Sequence, residues 1–194
     1  MSVAAKERIA KERVLNIPNQ LTVLRLLLSV ALFVLIAFEY YLVSFITFAV
    51  AAGTDWLDGY LARKYGQVTT LGRILDPFVD KIIVCGTFIF LAAVPGSGVA
   101  AWMAVLIVGR ELLVTALRSF LEGEGADFSA VMSGKVKMLV QCLAALVSLY
   151  ALYHGAPYPA PLDWLLVISV WSAVVLTVYS GAAYVHRAFL LLTS

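Results

Sequence analysis

Six long apolar runs constrain this chain more than any other feature of its sequence. Each is about 20 residues long, the length that a helix needs to cross roughly 30 Å of hydrocarbon. Charged residues make up only 13% of the 194 residues, whereas soluble domains have about 25%. The sequence therefore predicts an all-α integral membrane protein, a bundle of six transmembrane helices. The runs lie at about Leu21–Phe38, Tyr41–Ala62, Leu75–Val94, Val99–Leu117, Val136–Tyr153 and Leu162–Val185.

The lysines and arginines predict the orientation of this bundle. The connections at 39–40, 95–98 and 154–161 contain none of them, and all 14 lie towards the opposite side, which includes a charged loop predicted at 63–73. By the positive-inside rule, that side and both termini are predicted to face the cytoplasm. The net charge of +2 is too small to indicate nucleic acid as a partner.

Residues 1–18 are predicted to be a juxtamembrane segment, separate from a membrane domain at 19–194. Oppositely charged residues at i,i+4 spacing and a possible apolar stripe favour an interfacial amphipathic helix over a solvated arm. Pro18 is expected to end this helix, and Asn19 or Thr22 to cap the first span. No cleavable signal is predicted, because no short apolar core with a small-residue cleavage site is present.

Four aspartates lie inside or beside the second and third runs, at Asp55, Asp58, Asp76 and Asp80. Counted at about 1.5 Å per residue from the far surface, they lie roughly 21 to 27 Å into a 30 Å slab. A carboxylate costs about 2.5 to 3.5 kcal/mol at the centre of a transmembrane helix, and less near its edge. Four such groups predict a watery or ion-filled cavity on the cytoplasmic side.

The spacing of these acids predicts two stripes of carboxylates and small residues. Oxygen ligands suit hard cations such as Mg²⁺ or Mn²⁺, and two divalent cations would neutralise four carboxylates. A binuclear site of this kind is typical of phosphoryl chemistry. The alternative is structural pairing of the aspartates with Arg63 and Arg73. The first stripe is Asp55, Asp58, Gly59 and Ala62, and the second is Gly72, Asp76 and Asp80.

The same stretch carries a resemblance to a known family. Written as D-x2-D-G-x2-A-R-x8-G-x3-D-x3-D, it resembles the signature of the CDP-alcohol phosphotransferases, membrane enzymes that join a CDP-linked donor to an alcohol. The resemblance implies two divalent cations, Mg²⁺ or Mn²⁺, held by Asp55, Asp58, Asp76 and Asp80, with Asp80 also the general base. It implies donor contacts from Asn19, Thr22, Gly59, Ala62, Arg63, Thr69 and Gly72. Thr69 could equally cap the third span.

Within the family, further blocks resemble the bacterial phosphatidylglycerophosphate synthases. These blocks are "NIPNQLTVLRL", "DWLDGYLARK", "LDPFVDK", "GRELLVTALR" and "SGKVKM". The reaction implied is transfer of the phosphatidyl group from CDP-diacylglycerol to sn-glycerol 3-phosphate, giving phosphatidylglycerol phosphate and CMP. The resemblance also implies a homodimer in a bacterial cytoplasmic membrane.

A basic set downstream fits a phosphate-bearing acceptor. Arg110 lies deep in the fourth run, where a buried arginine is costly without an anion. The neighbouring Glu111 is not expected to pair with it, because adjacent side chains on a helix diverge by about 100°. A structural pair of the two is the alternative. The residues predicted to bind glycerol 3-phosphate are Arg110, Arg118, Lys135 and Lys137.

Two other functions stay open at this point. A relative in the same family could use inositol phosphate or serine as acceptor. A cation transporter could also carry ions on intramembrane acids, but transporters often have inverted repeats and broken helices, and neither is evident in the sequence. The enzyme is therefore the favoured interpretation.

Overall fold

The chain folds into six helices over the part that the structure describes. The computed structural model describes residues 17–65, 70–123 and 132–193, and within them the side chains except those of 17–19, 21, 55–65, 70–77, 122, 132–133, 135 and 192–193. The all-helical class is confirmed over these residues. The helices are α1 (Ile17–Ala37), α2 (Tyr41–Tyr65), α3 (Thr70–Ala92), α4 (Ala101–Gly123), α5 (Met132–His154) and α6 (Ala160–Thr193).

Each predicted span coincides with one helix, but several ends differ from the prediction. The charged loop predicted at 63–73 is wrong, since α2 continues to Tyr65 and α3 begins at Thr70. Hydropathy marks where the apolar part of a helix stops, and a helix that projects from hydrocarbon continues with polar residues. α6 runs to Thr193, eight residues beyond the predicted end at Val185, because His186 and Arg187 only interrupt an apolar run that continues to Leu192.

The start of α1 also differs from the prediction. The helix begins at Ile17, so Pro18 lies in its first turn, and its predicted role in ending the preceding helix stays a prediction. Proline is tolerated there because the first N–H groups of a helix have no intrahelical partner. Asn19 and Thr22 consequently lie within the helix and are not its cap. The interfacial helix predicted for 1–18 lies, up to residue 16, outside the described residues.

The helices pack as a ring in the order α1, α2, α5, α6, α4 and α3, and α3 also contacts α5 across the middle. Arg25 of α1 pairs with Asp80 of α3, and further along both helices Phe33 stacks on Phe90, so these two helices run in parallel. Lys137 near the start of α5 pairs with Glu111 in the middle of α4. Gln141 of α5 bonds Thr177 of α6, and Gly134, earlier in α5, lies beside Tyr184, later in α6, so α5 and α6 are antiparallel. We call the end where α1, α3 and α5 begin the charged end, and the opposite one the far end.

The bundle buries an apolar core and exposes a second apolar surface. Phe48, Leu91, Ile107 and Leu149 are fully buried between the helices. Large apolar side chains also lie exposed on the outside, including Val105, Phe38 and Trp164. An outer surface of this kind is typical of a protein that faces lipid.

Two helices meet the length and composition needed to cross a membrane within the described part of the chain. They are Val136–His154 in α5 and Ala160–Leu191 in α6. The segments Thr22–Ala37 and Tyr41–Thr54 are apolar but shorter. The prediction of six membrane spans therefore stays a prediction.

Candidate active site

The motif aspartates lie on two continuous helices, as their spacing predicts. Asp55 and Asp58 belong to α2, whereas Asp76 and Asp80 belong to α3. Of these four, the structure describes only the side chain of Asp80. No group of three acidic, histidine or cysteine side chains lies together among the side chains that it does describe. The metal ligands therefore stay a prediction.

Most of the predicted donor contacts also lie where the structure does not describe the side chains. Thr69 lies outside the described residues, and Thr22 is the only one of the set whose side chain is described. Thr22 is buried near the start of α1. The others, for which the structure gives the helix but not the side chain, are Asn19, Gly59, Ala62, Arg63 and Gly72.

Asp80 forms an ion pair that the sequence did not predict. Its Oδ1 accepts a hydrogen bond of 2.5 Å from Nη1 of Arg25 in α1. The arginine side chain is 3% exposed and that of Asp80 is 27% exposed. The signal in the sequence is that Arg25 is the only charged residue in its apolar run, and a buried arginine needs an anionic partner. Arg25 fixes one carboxylate oxygen of the proposed base.

Glu111 lies between two buried cations. Nη1 of Arg110 donates to its Oε1 at 2.9 Å, and Nζ of Lys137 donates to the same oxygen from α5. All three side chains are largely buried. The expectation that Arg110 and Glu111 cannot pair was wrong. The 100° between them is spanned because the long arginine side chain bends around the helix towards the carboxylate.

Arg110 has donors beyond this ion pair. Its Nε and Nη2 are buried and have no hydrogen-bond partner among the described residues. Unsatisfied guanidinium N–H groups are unusual in a buried site, because each leaves a polar atom removed from water without compensation. Arg110 can therefore still bind an anion while it is paired with Glu111.

The acidic and basic residues meet at one cavity near the charged end. It measures about 220 Å³ and lies between α3, α4 and α5. Arg118 and Lys137 of the predicted acceptor set line it. Arg110 does not line it but pairs with Glu111, which does, and the side chain of Lys135 is not described. The polar residues lining the cavity are Asp80, Lys81, Glu111, Arg118, Lys137 and Gln141.

Gln141 is a polar residue of this cavity that sequence reasoning missed. It is fully buried, and its Nε2 donates to Oγ1 of Thr177 in α6 at 2.9 Å. Its Oε1 has no hydrogen-bond partner among the described residues. A buried acceptor without a donor calls for an explanation by a ligand or water. Lone polar residues in an apolar run, such as Gln141, are the signal that could have found it.

Comparison with known proteins places the chain in a family. The model of the CDP-alcohol phosphatidyltransferase family matches residues 15–179. A CDP-diacylglycerol–glycerol-3-phosphate 3-phosphatidyltransferase of Bacillus subtilis is 34% identical over 187 residues, which cover 89% of this chain and 94% of the relative. A probable phosphatidylglycerophosphate synthase of Mycobacterium tuberculosis is 36% identical over 185 residues, covering 92% of this chain and 84% of the relative. The chain belongs to the CDP-alcohol phosphatidyltransferase family.

Proposed function

We propose that the protein transfers the phosphatidyl group from CDP-diacylglycerol to sn-glycerol 3-phosphate, giving phosphatidylglycerol phosphate and CMP. The observation that carries this proposal is that Asp80, the last motif carboxylate, lines the same cavity as Arg118 and Lys137. Such a cavity offers a base for a hydroxyl and cations for a phosphate. The name of the Bacillus subtilis relative supports the same substrates, and that of the Mycobacterium tuberculosis relative supports the same product.

Two divalent cations, Mg²⁺ or Mn²⁺, are proposed to bind Asp55, Asp58, Asp76 and Asp80. The residues fit such ions, since carboxylate oxygens are the ligands that both prefer. The aspartates lie at i,i+3 spacing on α2 and at i,i+4 spacing on α3, so each pair shares a helix face. When bound, divalent cations neutralise the charge of a pyrophosphate and of the departing CMP.

The protein side chains are proposed to move the proton and hold the reactants. The acceptor hydroxyl forms a bond to the phosphorus that carries the diacylglycerol, and the bond from this phosphorus to the CMP oxygen breaks. The hydroxyl proton passes to the Asp80 carboxylate, which acts as general base. Arg25 holds Oδ1 of that carboxylate in α3, so that its orientation is set before the acceptor binds.

The acceptor phosphate is proposed to bind Arg110, Arg118, Lys135 and Lys137. Arg110 keeps two buried groups, Nε and Nη2, that have no partner among the described residues. Lys137 is paired with Glu111, which keeps its charge compensated when the site holds no acceptor. A dianionic phosphate suits such a set, whereas free serine has no net charge and does not require it.

The donor and the membrane complete the proposal. Asn19, Thr22, Gly59, Ala62, Arg63, Thr69 and Gly72 are proposed to bind CDP-diacylglycerol. Six spans, with both termini and the cavity on the cytoplasmic side of a bacterial inner membrane, give a lipid donor and a soluble acceptor access to one site. An interfacial helix at 1–18 and a homodimer belong to the same proposal.

One assay tests the reaction. The purified full-length protein is incubated with CDP-diacylglycerol and either glycerol 3-phosphate, inositol phosphate or serine, with and without EDTA, and released CMP is measured. We expect CMP to be released with glycerol 3-phosphate but not with inositol phosphate or serine, and no CMP to be released in EDTA. Release with another acceptor only would overturn the assignment of the acceptor. Release with none of them would overturn the transferase.

A further inference from the structure

Tyr184 of α6 contacts two of the arginines assigned to the acceptor. The guanidinium of Arg110 lies over its ring, 5.4 Å from the centroid. Its hydroxyl oxygen accepts a long hydrogen bond of 3.4 Å from Nη2 of Arg118. The side chain is only 2% exposed. One buried aromatic residue therefore touches two cations that lie eight residues apart on α4.

The neighbours of Tyr184 leave room for this arrangement. A Cβ on Gly181, three residues earlier on the same face of α6, would lie 3.2 Å from Cγ of Arg110. A Cβ on Gly134 in α5 would lie 3.4 Å from the Tyr184 hydroxyl. The two glycines thus admit an arginine against α6 and a tyrosine hydroxyl against α5. Val114, Leu121 and Ala188 surround Tyr184 in a small apolar cluster that fixes its ring.

The family match ends before these residues. It covers 15–179, so Gly181 and Tyr184 lie outside it, and nothing in the motif predicts them. Long arginine side chains lose much conformational freedom when they are held in one geometry, and a preorganised guanidinium binds a phosphate with less of that loss. A rigid aromatic face and a hydrogen-bond acceptor supply such preorganisation.

We propose that Tyr184, together with Gly181, is a positioning residue that holds Arg110 and Arg118 for the acceptor phosphate. This inference rests on the proposed function, because it assigns those arginines to that phosphate. Tyr184 touches neither reactant and acts through the two guanidinium groups. Removal of its side chain should therefore weaken binding of the acceptor and leave binding of the donor unaffected.

The test measures the KM for glycerol 3-phosphate, the KM for CDP-diacylglycerol, kcat and the melting temperature of the full-length protein. Tyr184→Phe removes only the hydroxyl and should raise the acceptor KM about 3-fold; Tyr184→Leu removes the ring as well and should raise it about 10-fold or more. Gly181→Ala should also raise it, since the new methyl group would lie 3.2 Å from Cγ of Arg110 and shift that side chain by a few tenths of an ångström. In all three variants the donor KM should stay within about 2-fold of the wild type.

Two control variants match these changes. Tyr179→Phe makes the same change at an exposed tyrosine of α6. Gly109→Ala adds a methyl group beside Arg110 in sequence, where a Cβ meets nothing within 4 Å. Both should leave the acceptor KM unchanged. An effect of these controls as large as that of the Tyr184 variants would overturn the inference.

The remaining outcomes separate the inference from the proposed function. An unchanged acceptor KM in Tyr184→Phe and Gly181→Ala, with or without a lower melting temperature, overturns the positioning role and leaves the reaction intact. A parallel rise of both KM values also overturns it. If the wild type uses inositol phosphate only, the acceptor assignment fails, and the same KM comparison with inositol phosphate decides the role of Tyr184. If the wild type uses serine only, both the acceptor assignment and the positioning role of Tyr184 fail.

Discussion

The two ends of the bundle satisfy their buried polar groups in different ways. At the far end, hydroxyls bond to loop carbonyls: the buried Ser148 hydroxyl donates to the carbonyl oxygen of Ser97, and the more exposed Tyr158 hydroxyl donates to that of Gly96. At the charged end, buried cations pair with carboxylates on other helices, as Arg25 does with Asp80. The far end uses neutral hydrogen bonds to the backbone, whereas the charged end uses full charges.

This difference indicates which end the fold itself needs. Replacing a buried ion pair by well-packed apolar residues is often neutral, or stabilising by about 1 to 4 kcal/mol. The ion pairs around Glu111 are thus not explained by stability, and Arg110 and Gln141 even keep buried atoms without partners among the described residues. Folding accounts for the far end, and ligand binding accounts best for the charged end. Each prediction below tests this separation.

The largest effect is expected from loss of a metal ligand. Asp55→Asn, Asp58→Asn and Asp76→Asn should each lower turnover more than about 1,000-fold, a loss of roughly 4 kcal/mol of transition-state stabilisation. EDTA should inactivate the wild type, and Mg²⁺ or Mn²⁺ should restore it. CMP release measures both.

Asp163 provides the control for these variants at the far end. It is an exposed aspartate in the first turn of α6. Asp163→Asn makes the same chemical change and should retain full activity. Full activity of the wild type in EDTA would contradict the binuclear site, and inactivation by Asp163→Asn would contradict the separation of the two ends.

Asp80→Asn should act mainly on the chemical step. Loss of a general base typically lowers the rate about 100- to 10,000-fold, so kcat should fall by that order. Binding of CDP-diacylglycerol should partly survive, since three aspartates remain. Single-turnover CMP release and donor binding measure the two effects separately. A variant with near-normal kcat would remove the role of Asp80 as base.

Substitutions in the basic set should change the KM for the acceptor alone. A charge-assisted contact to phosphate is worth about 1.5 to 3 kcal/mol. Arg110→Ala or Lys135→Ala should therefore raise the KM for glycerol 3-phosphate by about 10- to 150-fold. The KM for CDP-diacylglycerol should change little. An unchanged acceptor KM in both variants would indicate that the basic residues are structural.

Arg25 should affect kcat more moderately, because it contacts Asp80, the proposed base, and is not itself proposed to bind a reactant. Arg25→Leu leaves the Asp80 carboxylate without this donor, and a misplaced base should lower kcat about 10-fold. Arg25→Lys keeps the positive charge and should restore part of the loss. Steady-state kcat at saturating substrates measures the effect. Equal losses in both variants would show that charge at this position does not orient Asp80.

The sequence predicted the helices better than it predicted their contacts. Apolar runs of about 20 residues were sufficient to find all six helices, because length and hydropathy decide them. The pair Arg25–Asp80 joins residues 55 positions apart, and Glu111–Lys137 joins residues 26 apart. Such pairs depend on how each helix is rotated about its axis. Helices that are apolar all round carry little information on rotation.

For the aspartate motif, the sequence was more informative than it was for the contacts between helices. The spacing predicted that Asp55 and Asp58 share one helix face and that Asp76 and Asp80 share another. Through the resemblance, the same stretch predicted the family. The prediction that Glu111 does not pair with Arg110 was wrong, because the 100° rule considers only the direction of Cβ and ignores the length of the arginine side chain. Gln141 and Tyr184 were missed because a single polar or aromatic residue in an apolar run has no spacing pattern to reveal it.

The smallest kinetic effect is expected at the far end. Ser148 is fully buried, and its Oγ donates to the carbonyl oxygen of Ser97 at 2.6 Å. Ser148→Ala removes this hydrogen bond and should lower the free energy of unfolding by about 1 to 2 kcal/mol. For a chain of this size the melting temperature should fall by roughly 2 to 8 °C.

Catalysis should not follow this loss of stability. Both KM values and kcat of Ser148→Ala should match the wild type at temperatures well below its melting point, because no ligand contact changes. Thermal unfolding in detergent and CMP release at low temperature measure the two quantities on one preparation. A selective rise in the KM for glycerol 3-phosphate in this variant would mean that the far end also shapes the acceptor site.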